Sequence, residues 1–139
     1  MLVYTASTTI NATPDAIWRI LTDAPNYPQW DPTVIRIEGT IASGNKITAY
    51  TKLSDRAFPV TVSEFQPGRK MVWSSGVPLG LFSGKRTFTL TPKGENETEF
   101  TLHEQFDGLL LPLFGRSIPD MTKPFADFAA GLKSEAEKT

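Results

Sequence analysis

Through residues 34–106 apolar side chains recur at every second position, and short turn sequences break that rhythm often enough that each run can pair with the next only as a hairpin. The turns are Ala42-Ser43-Gly44-Asn45, Ser54-Asp55-Arg56, Pro67-Gly68, residues 76–81, and Pro92-Lys93-Gly94-Glu95-Asn96-Glu97. The pattern predicts an antiparallel meander with strands at about 33–39, 45–53, 57–65, 69–75, 82–91 and 98–107. A sheet of this kind has one face to bury. What remains of the chain must cover it.

Residues 3–11, rich in Thr, Val and Ile, predict one more strand, which stops at Thr13-Pro14-Asp15. That tripeptide starts a helix: Thr13 caps it, Pro14 suits the first helical position, and Asp15 favours the positive end of the dipole. Ala16, Ile17, Ile20 and Leu21 share a face and carry the helix to about Thr22, after which Pro25 and Pro28 limit the next segment to a short helical turn. Beyond the meander, Met121, Phe125, Phe128 and Leu132 form one apolar stripe in a terminal helix predicted at about 118–138, kinked at Pro124. The concave face of the sheet is the surface left for that stripe. The reading is an α+β architecture: a seven-stranded curved antiparallel sheet wrapped around a long C-terminal helix, with two short helices after the first strand. A sheet gripping one helix splays at an end, and a small molecule fits in the gap.

The length of 139 residues, without an internal repeat or linker, predicts one domain spanning 1–139. A net charge of −1, with both signs mixed along the chain, gives no field that would draw in nucleic acid or an anionic bilayer. No cysteine is present, which removes thiolate nucleophiles, disulfides and thiolate metal sites. The N-terminus lacks the pattern of a signal peptide, and no run approaches the ~20 apolar residues of a membrane span, so the expected location is the cytoplasm, without stable membrane insertion. The one histidine, His103, has no companion ligands and reads as a surface residue, so neither a metal nor a cofactor is expected. Phosphate-binding loops, nucleophile elbows and dinucleotide fingerprints are missing as well.

Several segments carry a family resemblance. Thr13-Pro14-Asp15-Ala16-Ile17-Trp18, Leu21-Thr22-Asp23 and Tyr27-Pro28-Gln29-Trp30-Asp31-Pro32, with Phe100-Thr101-Leu102-His103-Glu104-Gln105-Phe106-Asp107-Gly108-Leu109-Leu110 and the closing Gly131-Leu132-Lys133 and Glu135-Ala136-Glu137, resemble the bacterial polyketide cyclase/dehydrase-like branch of the START and birch-pollen-allergen superfamily (SRPBCC). The resemblance covers nearly the whole chain and implies the helix-grip fold. Members bind lipids, sense hormones, cyclise polyketides or assist chaperones, so the fold does not by itself choose a function.

Alternation assigns the faces. Phe100, Leu102, Glu104 and Phe106 share one face of the last strand, and Phe82, Gly84, Arg86, Phe88 and Leu90 share one face of the strand before it. Aligning Leu90 with Phe100 places Phe88 opposite Leu102 and Arg86 opposite Glu104, with Cβ atoms ~5 Å apart. A buried charge is costly alone, so the two charges are expected to pair, either as a structural clasp or as an anchor for a ligand's polar end. Met71 and Trp73 alternate inward on the strand after Pro67-Gly68, opposite Glu64 and Val62, while Tyr50 falls on the face away from Ile47 and Ala49. Trp30 is expected to close one end of the core. The candidate ligand-binding set is therefore Trp30, Met71, Trp73, Arg86, Phe88, Leu102, Glu104, Phe106, Met121, Phe125 and Phe128. The run at 109–114, with 54–59 and 76–81, is expected around the mouth, as lid or as simple loop packing.

Three functions are compatible with the resemblance and these residues. The first is binding, transport or sensing of a small hydrophobic molecule such as a fatty acid, isoprenoid or polyketide-like aromatic, by a monomer or weak dimer. The second is a cyclase or dehydratase in which Glu104 takes a proton and Arg86 steadies the enolate; an arginine directly opposite works against a carboxylate poised as a base. The third is a protein-interaction role like that of the related Hsp90-activator branch.

Overall fold

The computed structural model describes residues 2–53, 55, 57–77, 81–109 and 120–138. Strand β1 (Leu2–Ile10) leads to α1 (Pro14–Leu21), a turn of 3-10 helix (Ala24–Asn26) and α2 (Tyr27–Trp30). The meander comes next as β2 (Val34–Glu38), β3 (Lys46–Thr51), β4 (Phe58–Gln66), β5 (Lys70–Val77), β6 (Phe82–Gly94) and β7 (Glu97–Asp107), and α3 (Thr122–Ala136) closes the chain. The seven strands form one antiparallel sheet in the order β1-β7-β6-β5-β4-β3-β2. It curls into a half-barrel around α3, and residues of α1 and α2 join α3 in covering its apolar face.

Local chemistry sets the element ends. The Thr13 hydroxyl accepts the Ala16 N–H at 3.2 Å and Pro14 occupies the first helical turn of α1, as predicted. Helix α3 starts later than predicted: Asp120 Oδ1 accepts the Thr122 N–H at 2.9 Å, while 118 and 119 lie outside the described residues. The first bond of its ladder runs from Phe125 N–H to the Met121 carbonyl at 2.9 Å. Pro124 thus sits in the first turn, where its missing N–H breaks no bond, and the expected kink loses its cause.

A second correction concerns β4. Val62 faces Trp73 as predicted, but the register shifts between Ser63 and Gln66, so Glu64 and Phe65 share the space opposite Met71. Glu64 takes φ 46° and turns outward to Lys70 Nζ at 3.0 Å and Lys85 Nζ at 3.6 Å. The bulge restores the alternation for Phe65, whose ring meets Trp18 edge-on at 5.2 Å.

Two features hold α3 to the rest. A Cβ at Gly131 would collide with the carbonyl oxygen of Trp30, so only glycine lets α3 and α2 pack this closely. At the C-terminal end Lys133 Nζ reaches the Thr9 carbonyl at 2.7 Å and the Glu137 carboxylate at 2.6 Å. Glu137 in turn accepts the Asn11 N–H at 2.8 Å, and these bonds hold its carboxyl below the usual glutamate range.

Candidate functional site at the helix-sheet interface

Three cross-strand rows organise the concave face. Ala6, Leu102, Phe88 and Met71 form one, and Tyr4, Glu104, Arg86, Trp73 and Val62 the next. The third, Leu2, Phe106, Gly84 and Ser75, lies nearest the strand ends that lead into 78–80 and 110–119. Of the three rows, the middle one alone carries charged residues. The Arg86–Glu104 register is the predicted one.

Arg86 donates from Nε at 3.1 Å and Nη2 at 2.9 Å, and both bonds end on the same oxygen, Glu104 Oε1. Among the described residues Arg86 Nη1 and Glu104 Oε2 have no partner. Neither is sealed off, since the buried atoms lacking a partner lie elsewhere. The side chains keep 23% and 12% of their surfaces accessible. The guanidinium lies over the Phe125 ring, 5.1 Å from its centroid, and the Tyr4 ring packs against Phe125 at 5.9 Å. The pair therefore sits beneath the first turns of α3, beside the Phe125 ring, with Nη1 and Oε2 left over.

Asp31 adds a second carboxyl that sequence reasoning treated only as part of a motif. It is 2% exposed at the end of α2, and its Oδ1 accepts the Thr33 N–H at 3.0 Å and the Thr33 hydroxyl at 2.9 Å. Burial pushes its carboxyl up; the Thr33 bonds and the Arg86 charge pull it back, and the Asp127 charge raises it further. Tyr27, whose hydroxyl donates to the Leu21 carbonyl at 2.6 Å, is likewise pushed well above the usual phenol range by burial, with the Asp31 charge adding and Arg86 opposing. The available signal was an Asp two residues before Thr33, a side-chain turn pattern.

The predicted site residues divide into two groups. Met71, Phe88 and Leu102 are wholly buried, and Trp30, Trp73, Phe125 and Phe128 nearly so. Rings fill this part: Phe128 packs against Trp30 at 4.9 Å, Phe88 and Phe100 at 5.9 Å and Tyr27 at 6.3 Å. The indole N–H groups of Trp30 and Trp73 are buried there without partners among the described residues. Arg86, Glu104 and the half-buried Phe106, stacked on Phe82 at 6.2 Å, keep accessible surface at the other end, and Met121, 9% exposed, immediately precedes α3.

His103 takes the outer face, its Nδ1 2.9 Å from the Thr5 hydroxyl, and Tyr50 turns outward beneath Arg36 at 3.8 Å. Of the predicted mouth segments, 54, 56, 78–80 and 110–114 lie outside the described residues, while Leu109 and Phe58 are exposed. A shallow depression of ≈ 410 Å³ is lined by Val60, Ser74, Ser75, Phe82 and Ser83 among others and includes neither Arg86 nor Glu104. Among the described residues no group of His, Cys, Asp and Glu could hold a metal, and no helix is long and apolar enough to cross a membrane.

This helix-grip architecture, with a charged pair on its concave face, defines the class of the protein. A model of the family described as polyketide cyclase / dehydrase and lipid transport matches residues 1–137, and the chain belongs to that family. Solved structures share the fold. A hypothetical protein from Helicobacter pylori is 11% identical, with 98% of this chain and 88% of that one covered at a TM-score of 0.80. Zhui aromatase/cyclase from Streptomyces sp. R1128 is 14% identical over 98% of this chain and 93% of its own, at 0.78. A START superfamily protein from Mycobacterium smegmatis is 15% identical over 97% of each chain, at 0.70. No curated protein sequence matches the chain.

Proposed function

We propose that this protein binds a small, largely apolar molecule at the helix-sheet interface, where Arg86 and Glu104 orient its polar group. The observation that carries this reading is the unused hydrogen-bonding capacity of an accessible ion pair set among apolar side chains: Nη1 and Oε2 have no partner among the described residues. The Phe125 ring beside the guanidinium and the Tyr4 ring packed on it favour an apolar body next to that polar group. The family's description, which includes lipid transport, agrees with it. Phe106, Met121 and Phe125 supply the apolar contact nearest the pair, and Met71, Phe88, Leu102, Trp30, Trp73 and Phe128 form the packed wall behind it.

Native mass spectrometry of the protein as purified, followed by fluorescence titration with an apolar aromatic, tests the reading. A retained or absorbed small molecule supports it. Uptake that is unchanged in the double variant Arg86→Met with Glu104→Leu removes the anchor role.

A second reading rests on Asp31. A buried carboxyl pushed up by its surroundings, within the field of Arg86, is the kind of group that exchanges a proton with a substrate. It would suit a cyclase that closes a ring by carbon–carbon bond formation and then expels one water, the aromatase/cyclase class to which Zhui belongs. Incubation with a linear poly-β-ketone mimic, with the product's mass checked for loss of one water, tests it; turnover unaffected by Asp31→Asn discards it.

A further inference from the structure

From the charge balance around Arg86 we infer that the site selects a neutral polar group, a hydroxyl or carbonyl, and rejects carboxylates; this rests on the binding function proposed above. The guanidinium directs two of its donors to one Glu104 oxygen, so its charge is already answered at 2.9 Å. Asp31 and Arg86 act on each other electrostatically, and the Asp127 charge acts on Asp31 in turn. Lys123, 84% exposed, is paired to Asp127 at 2.7 Å and reaches away from the site into solvent. An incoming carboxylate would meet Glu104 Oε2, with the Asp31 charge also acting on Arg86, for the sake of a cation already taken, and like charges brought together away from water cost several-fold to many-fold in affinity. A neutral hydroxyl adds no charge and can use either free atom, as donor to Oε2 or as acceptor from Nη1. Free fatty acids and aryl carboxylates are thereby disfavoured against alcohols, phenols and hydroxy-ketones of the same apolar body.

The test is a matched pair of probes, β-naphthol and β-naphthoate, titrated by fluorescence at neutral pH into the wild type, Glu104→Gln and Asp31→Asn. In the wild type naphthol is expected to bind about tenfold tighter or more. Because naphthoate is also the better hydrated probe, the decisive arm is Glu104→Gln, which keeps the side chain's shape and releases the arginine: the order should invert. Asp31→Asn, which keeps the oxygen that Thr33 needs, should narrow the wild-type gap without inverting it, and provides an independent reading if Glu104→Gln fails to fold by its melting curve. Naphthoate binding the wild type as tightly as naphthol, or a gap unmoved in both folded variants, overturns the selectivity and leaves the binding function standing. Uptake of neither probe by the wild type removes both.

Discussion

The concave face has two regions built from the same alternating strands, and they differ in what their side chains do with their surfaces. Around Phe128 four other rings pack, and Met71, Phe88 and Leu102 expose nothing. One row away, Arg86, Glu104 and Phe106 keep surface in reserve. The first region draws its stability from packing, where affinity for a ligand would require moving something. The second keeps its unpartnered polar atoms within reach of solvent, whereas the unpartnered indole N–H groups of Trp30 and Trp73 in the first are sealed.

The comparison breaks most visibly at Phe128. Truncating it to alanine empties the meeting point of four rings and is expected to cost about 3–5 kcal/mol in urea denaturation. Phe106→Ala, in the second region, should cost clearly less and instead weaken probe uptake. Equal costs for the two would mean that the second region is packed as fully as the first.

The join between α2 and α3 gives the next largest effect. Alanine is a better helix former than glycine by ~1 kcal/mol, so an unconstrained Gly131→Ala would stabilise α3. The Trp30 carbonyl occupies the place of the new methyl group, however, and the collision is expected to win, for a net loss of about 1–3 kcal/mol. A stabilised Gly131→Ala would show that the helix can shift away from Trp30 without cost.

The ion pair lies at the boundary between the regions. Removing one partner alone leaves a half-buried charge unanswered, so Arg86→Met or Glu104→Leu is each expected to destabilise by about 1–2 kcal/mol. Replacing both with apolar residues of similar size should recover most of that loss, as buried pairs generally do. Recovery of stability together with loss of ligand uptake would separate the pair's functional role from its structural one. Failure to recover would make it a clasp that sets the β6–β7 register.

How much of this was legible in the sequence depends on what alternation encodes. With one face buried, a slip of one residue would expose every apolar side chain, so the register of β6 on β7 and the meeting of Arg86 with Glu104 could be read from the strands alone. Alternation is silent on inserted residues, and so the bulge at Glu64 displaced the expected partner of Met71. It also tells which face a residue takes without telling how full that face is: Phe88 and Phe106 read alike, yet one is sealed among rings and the other keeps surface. Asp31 was hidden for a different reason. Its depth comes from the way α2 folds back onto α3, a long-range contact that no local spacing reports.

That carboxyl provides the smallest effect and a pH signature of its own. Asp31 in the folded protein holds its proton more tightly than in the unfolded chain, because burial outweighs the Thr33 bonds and the Arg86 charge. The sign comes from linkage: folding is favoured where the group is protonated, and this contribution is complete below the unfolded carboxylate range, about pH 3.9, and lost as pH rises through the folded value. Above the folded value, ionised Asp31 is therefore a cost that Asp31→Asn removes, while the asparagine oxygen still accepts from Thr33. Thermal unfolding should show the variant more stable than the wild type at neutral pH, with the difference shrinking on acidification. Glu137 runs the opposite way, its bonds to Asn11 and Lys133 being lost as acid protonates it, so the comparison must be made as a difference between variant and wild type at each pH. An Asp31→Asn variant less stable at neutral pH would mean that the attraction to Arg86 outweighs burial, and that the polar end is held together more by charge than its accessible surface suggests.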